Sequence, residues 1–335
     1  ISLKSPVSVN TSSILLKQIT RCLSRMYLFI GPSLLSGIGQ VTKRYCDLVG
    51  GEYIEIISGK FPNYNDYEGG FAFVLPLWDH LKIVKNFSRN CKKMIYMTVC
   101  ETEPVSKEYA MLGDCQPLYV PSQFAKGVLD SQFGWDCKIL RHWAPIPDIP
   151  RLPLSQEKPY IFYTIGNVID PRKNIKSLVN AFHQCQFPNA RLVLKATCRQ
   201  SVNLDAPGVV VINGLLSDDH MDKIHQSSHC YVNCSHSEGV GMGAVEAALY
   251  DKPVIIGDYG GLKEYVHTPF VIRCPRGKIG FDDFLFKADT EWGHPRGDDI
   301  VKHMRECYDR RLTRWDHSHT KDLITRVKPC LEHSL

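Results

Sequence analysis

The stretch from Tyr231 to Val266, YVNCSHSEGVGMGAVEAALYDKPVIIGDYGGLKEYV, runs strand, glycine-rich loop, helix, strand, glycine-rich loop. Few folds accept that order. Tyr231 to Cys234 is a short β-prone run, and Ser235 to Gly243 is a turn containing one acid, Glu238. Ala244 to Tyr250 is built from strong helix formers. Pro253 to Ile256 reads as a buried strand, and Gly257 to Gly261 as a second loop. A strand that feeds a helix through glycines is the unit of a parallel α/β sheet, where ligands bind beyond the strand ends.

Glu238 and Glu246 lie eight residues apart in this stretch. On one continuous helix they would point about 80° apart. Gly239, Gly241 and Gly243 disfavour helix between them, so Glu238 is expected in the loop. Glu246 is expected near the second turn of a helix starting around Met242. The backbone N–H groups of Gly239, Val240, Gly241 and Met242 then lie between two carboxylates. A helix N-terminus suits an anion through its unpaired donors and its dipole. Carboxylates flanking an anion suit hydroxyl-rich groups on either side of a phosphate. The competing reading makes Glu246 a solvated helix residue and Glu238 a capping acid.

The rest of the chain repeats the alternation. Met26 to Gly31 reads as a first strand. Ser36-Gly37-Ile38-Gly39-Gln40 follows as a loop, with Ser36 placed to cap the helix VTKRYCDLV. Gly37 and Gly39 make an anion cradle but no dinucleotide fingerprint, because position 42 is Thr. Further strands are expected over Glu52–Ser58 and over Lys92–Val99, which runs into Glu101 and Glu103, with an apolar run over Phe71–Leu77 between them. Tyr119 to Phe124 reads as strand and helix start. Pro145, Pro147, Pro150, Pro153 and Pro159 mark a linker, with the boundary near Ile149. Beyond it come strands Tyr160–Gly166, Ala190–Ala196 and Val209–Ile212. Helices are expected over Ile175–Gln184, over DDHMDKIHQSS behind Ser217, and over Ile300–Arg310. Residues 275–299, rich in Gly, Asp and Pro, read as an irregular insertion. Two halves of this kind predict two doubly wound parallel sheets facing a cleft.

Glu238 and Glu246 within SEGVGMGAVEAALYDKPVI resemble the E-x7-E motif of retaining glycosyltransferases of family 4, which have the GT-B fold. GDYGGLKEYV, GNVIDPRKNIKSLVNAF and VVVINGLLSDDHMDKIHQSSHCYVNCS extend the resemblance over most of residues 160–268. The resemblance implies a nucleotide-sugar donor, with Glu246 on the ribose and Glu238 on the donor sugar near the reacting carbon. It implies that Arg172 and Lys173 clamp the donor diphosphate, and cations at a helix start already ask for an anion. The family arginine directly after the strand glycine is Asn167 here. Lys195 is a further candidate for the phosphates. The loop Asn213-Gly214-Leu215 would hold the base, and Gly37 and Gly39 would approach the donor phosphates and the acceptor. Many relatives place a histidine near 101–103. This chain has none between His80 and His142, so Glu101 or Glu103 would serve the sugar or acceptor, with plain loop carboxylates as the alternative. Trp315-Asp316 and LITRVKPCL resemble a terminal helix that crosses back to the first domain. The implied divisions are an arm over 1–25, an acceptor domain over 26–149, a donor domain over 150–312 and the crossing helix over 313–335.

Composition narrows the alternatives. The 335 residues are 44% hydrophobic and 10% aromatic, with a net charge of +5 and no block of Lys and Arg. That fits a globular protein without a nucleic-acid partner. No apolar run is long enough to span a membrane. Thirteen cysteines without a C-x2-C pair favour reduced thiols and a cytoplasmic setting. His225 and His229 are four apart but lack the other signatures of a metal site, and no metal or cofactor beyond the nucleotide-sugar co-substrate is expected. The first 25 residues lack Asp and Glu and are rich in Ser, Thr, Lys and Arg. They read as sequence ahead of a start at Met26, with a transit peptide, a basic arm or a membrane-surface helix over Ile14–Leu23 as alternatives.

The expected activity is transfer of a sugar from a UDP- or GDP-linked donor to a hydroxyl of a glycan, glycolipid or glycoprotein, with peripheral membrane contact left open. A GT-B nucleotide-sugar epimerase and a non-catalytic nucleotide-sugar-binding module are the alternatives. Base, sugar, acceptor and oligomeric state are not legible.

Overall fold

The computed structural model describes residues 27–57, 59–63, 66–148, 158–198 and 200–335. The expectations for residues 1–26 and for the boundary near Ile149 fall outside these residues.

The first sheet contains β1 (Tyr27–Gly31), β2 (Glu52–Glu55), β3 (Gly69–Phe73), β4 (Met94–Met97), β5 (Leu118–Val120) and β6 (Lys138–Ile139), in the order β2-β1-β3-β4-β5-β6. The second contains β7 (Tyr160–Gly166), β8 (Ala190–Ala196), β9 (Val209–Ile212), β10 (Cys230–Val232), β11 (Val254–Gly257) and β12 (Val271–Ile272), in the order β12-β11-β10-β7-β8-β9. Neighbouring strands within each sheet run parallel. Both sheets are covered on both faces. In β1, Leu28 and Ile30 enter one apolar cluster and Phe29 enters another. In the second sheet Phe162 and Val232 face one cluster, Tyr163 and Tyr231 the other. Burying each such side chain contributes about 1.5–3 kcal/mol.

Helices fill the crossovers: α1 (Gly37–Val49), α2 (Trp78–Ser88), α3 (Gln123–Phe133), α4 (Ile175–Cys185), α5 (Asp218–Ser227) and α6 (Met242–Leu249). After β12 come β13 (Arg276–Lys278) and β14 (Glu291–Gly293), an antiparallel pair, then α7 (Gly297–Asp309). The region expected to be irregular therefore contains a hairpin. The C-terminal segment is two helices, α8 (Ser318–Thr325) and α9 (Val327–Ser334). Val327 and Leu331 pack into the cluster of Phe29 and Phe71, returning the chain to the first sheet.

Two local expectations are corrected. α1 begins at Gly37, one turn earlier than the glycines suggested, because the Ser36 hydroxyl accepts from the Gly39 amide at 3.0 Å and satisfies a first-turn donor. Ser217 occupies the cap position of α5 but makes no capping bond; its hydroxyl pairs with His220 Nδ1 at 2.7 Å.

The two halves touch at several points. The Glu264 carboxylate accepts from the Gln123 and Phe124 amides at the start of α3, at 2.8 and 2.9 Å, and pairs with Arg141 at 2.6 Å. An acid there complements the helix dipole. Tyr265 donates to the Pro121 carbonyl, and the Phe124 and Tyr259 rings meet at 5.3 Å. No helix among the described residues is long and apolar enough to cross a membrane. None of the described cysteines is in a disulfide.

Candidate active site

Glu238 lies in the loop between β10 and α6, 5% exposed. Four side chains hold it. Lys173 Nζ lies at 2.6 Å, Ser235 Oγ at 2.7 Å, Asn233 Nδ2 at 3.2 Å and an Arg172 guanidinium nitrogen at 3.2 Å. Burial alone would raise the carboxyl's pKa, but the charges of Lys173 and Arg172 outweigh it and hold Glu238 at about 2. It is therefore a carboxylate at any working pH.

Arg172 and Lys173 come from a 3₁₀ turn after β7, Pro171–Lys173. Asp170 caps that turn, accepting from the Arg172 amide at 2.9 Å. Arg172 also reaches Asp170 at 3.4 Å and, across the cleft, Glu101 at 3.0 Å. Glu101 thus joins the cluster; burial raises its pKa against the opposing pull of Arg172. Glu103 does not join. It pairs with Arg276 of β13 at 3.3 Å, and its amide donates to the Glu291 carbonyl of β14 at 2.9 Å. The β13–β14 hairpin therefore ties the first half to the second. It also places Phe286 beside the Arg172 guanidinium, 6.0 Å from the ring centre.

The glycine loop is shaped by close approach. A Cβ on Gly239 would lie 2.0 Å from Val99 Cγ2 of the first half. Gly241 caps α6 with φ +74°, a conformation costly for any other residue type. α6 starts at Met242, where the glycines placed it. Met242 packs against apolar clusters of both halves, and Val240 is buried in the second half's core. Glu246 lies one turn into α6 and is paired, at 2.7 Å, with Arg44 of α1.

The remaining candidates divide. Gly37 opens onto free space at the start of α1, whereas Gly39 is buried. Gly214 has φ +82° and Leu215 is exposed. Asn213 spends its amide on both backbone groups of Val202, at 2.8 Å each. The buried Lys195 ammonium donates to the carbonyls of Ala196 at 2.5 Å and Gly214 at 2.7 Å, and burial lowers its pKa. In this structure Lys195 braces the 213–215 loop.

His225 and His229 are core residues. His225 Nδ1 pairs with the Tyr163 hydroxyl at 2.9 Å, and His229 Nδ1 accepts from the Ile161 amide at 3.0 Å. Among the described residues no three His, Cys, Asp or Glu are grouped as metal ligands. A groove of about 1100 Å³ lies elsewhere, between α2, the residues Ile56, Gly59, Lys60 and Phe61, and the residues Ala110, Met111 and Asp114.

Sequence reasoning passed over Asn233, Ser235, Asp170 and Arg44. Asn233 and Ser235 carry a faint signal, being polar residues directly after a buried strand and just before Glu238. Arg44 carries none, since its partner is two hundred residues away.

The family model described as glycosyl transferases group 1 matches residues 146–270. No curated protein sequence matches the chain. Among solved structures it is similar to the pneumococcal O-GlcNAc transferase GtfA in complex with UDP and GlcNAc (15% identity, TM-score 0.53), covering 81% of this chain and 58% of that one. It is similar to a glycosyltransferase from Rickettsia africae (10% identity, TM-score 0.56; 92% and 93% covered). It is also similar to the lipopolysaccharide outer core galactosyltransferase WaaB (13% identity, TM-score 0.57; 92% and 98% covered). The chain spans 58% of the length of the first of these. The two parallel six-stranded sheets with their helices make the GT-B fold.

Proposed function

We propose that the chain is a retaining, metal-independent glycosyltransferase of family-4 type, acting in the cytoplasm or at a membrane surface. It moves a sugar from a UDP- or GDP-linked donor to a hydroxyl of a glycan, glycolipid or glycoprotein. The observation that carries this reading is the Glu238 carboxylate held between Arg172 and Lys173 at the glycine loop that opens α6.

The chemistry follows from charge. Breaking the sugar–phosphate bond leaves a diphosphate whose negative charge needs fixed positive partners. Lys173 and Arg172 offer two cations, and the N–H groups at the start of α6 offer neutral donors. In this structure the two cations rest on Glu238, Glu101 and Asp170. An arriving diphosphate takes over Lys173 and Arg172, which turns Glu238 toward the sugar. Glu238 then stabilises the positive charge that develops at the reacting carbon. The resemblance adds front-face attack, with the departing phosphate helping to deprotonate the acceptor.

Replacement Glu238→Gln tests this. It keeps the shape and removes the charge, and it relieves the two cations of their resident acid. Transfer falls about a hundredfold or more, while nucleotide binding by calorimetry stays equal or becomes tighter. Full transfer activity in this variant would overturn the assignment. Product analysis separates the alternatives: an epimerase converts the donor without acceptor, and a binding module holds the donor unchanged.

A further inference from the structure

The proposed donor site carries one contact that the reading above leaves unused. Glu246, the carboxylate assigned to the ribose, is already engaged by Arg44 at 2.7 Å. The two belong to opposite halves, Arg44 to α1 and Glu246 to α6. Both side chains are largely covered, at 26% and 20% exposure. Met242, one turn before Glu246, packs into the cluster that contains Val41 and Tyr45 of α1. The ion pair and Met242 therefore link α1 and α6 across the cleft.

A carboxylate that binds a ribose diol does so by accepting from its hydroxyls. A guanidinium on the same oxygens competes for those lone pairs. A displaced Arg44 also needs a new acceptor, since a half-buried guanidinium left unpaired is costly. His142, close enough for the Arg44 charge to act on it, is the candidate acceptor. His142 is 4% exposed, and both of its ring nitrogens lack a hydrogen-bond partner. Its ring sits edge-on to Tyr45, the neighbour of Arg44, at 6.4 Å. Burial, reinforced by the charge of Arg44, keeps the imidazole neutral, with its pKa at about 3. A neutral ring has one nitrogen free to accept. A buried polar group without a partner is rare and calls for an explanation.

We propose that Arg44 is a positioning residue that sets donor affinity across the cleft, pairing with Glu246 and passing from Glu246 to His142 when a nucleotide ribose engages that carboxylate. The inference rests on the ribose role proposed for Glu246. It makes closure of the two halves and occupation of the donor site mutually dependent.

Calorimetric titration of the full chain with UDP and GDP tests the inference. Arg44→Gln removes the competitor and tightens nucleotide binding by about two- to fivefold, the scale of one partly exposed ion pair. Arg44→Lys restores wild-type affinity. His142→Leu weakens binding in the wild-type background and leaves Arg44→Gln unaffected, because the leucine matters only when a guanidinium must be received. Salt weakens binding to the wild type less than to Arg44→Gln, because it screens the competing Arg44–Glu246 pair along with the diphosphate contacts. A variant that merely loosens the fold would not bind more tightly. Unchanged or weaker binding in Arg44→Gln overturns the inference. Glu246→Gln separates the two levels: if it leaves nucleotide affinity intact, the ribose assignment itself fails. If it abolishes binding while Arg44→Gln has no effect, only the role of Arg44 fails.

Discussion

At Glu238, Lys173, Arg172, Ser235 and Asn233 converge on one carboxylate. That convergence, more than the acid alone, distinguishes it from a solvated loop glutamate. Its place in the loop was legible, since three glycines rule out helix around it. The convergence was not, because Lys173 and Glu238 are brought together by the pairing of β7 with β10. The histidines make the same point in reverse. His225 and His229 had metal spacing, yet the fold buries both against hydrogen-bond partners. Their burial has a measurable consequence. His142 and His225 are both held down to about 3, each mainly by burial, with Arg44 adding to the first and Lys252 to the second. Each is neutral in the fold and titrates near its ordinary 6.5 in the unfolded chain. The unfolded state therefore binds more protons between those values. Their contribution to stability is complete above about 6.5 and is lost as pH falls toward 3, at up to about 1.4 kcal/mol per pH unit for each histidine. Urea unfolding at pH 7.5, 6 and 5 should show that slope, and His225→Gln should reduce it. An unchanged slope in the variant would show that these rings do not control acid stability.

The elements of the second half were the most legible part of the chain. β7, β8 and β9 have the limits that their β-branched and aromatic runs predicted, and α6 starts where its glycines placed it. α1 was misjudged by one turn because its glycines sit inside a capped first turn, where propensity counts less than the Ser36 bond. The hairpin of β13 and β14 had no periodic signal. It is held by partners far along the chain, Glu103 and the core of the first half, against which Leu285 packs. The glycine loop is the element most sensitive to a single atom. A methyl at Gly239 meets Val99 at 2.0 Å, and the two belong to opposite halves. Gly239→Ala should cost about 1–3 kcal/mol by overpacking, and Val99→Ala in the same chain should recover most of it. Thermal melts of the two single variants and the double variant measure this coupling. Simple additivity would mean that the halves do not meet there.

At the scale of the molecule, the two sheets close on each other through contacts unlike in kind. Glu264 caps α3 and binds Arg141, Tyr265 bonds Pro121, Arg44 pairs with Glu246, and β14 bonds Glu103. Ligand binding and closure are then parts of one equilibrium, in which a donor gains or loses affinity by what it does to the seam. The two-sheet architecture followed from alternating strands and helices. The closure could not, because every contact in it joins residues from different halves. The central claim is that Arg172, Lys173 and Glu246 together form a nucleotide-sugar donor site. Its most direct test is calorimetric binding of UDP, GDP and ADP, each free and sugar-linked, to the wild type and to Lys173→Ala. The account predicts that one uracil or guanine nucleotide sugar binds the wild type and that Lys173→Ala weakens it at least tenfold. Silence across the whole panel, or binding indifferent to Lys173, would contradict it.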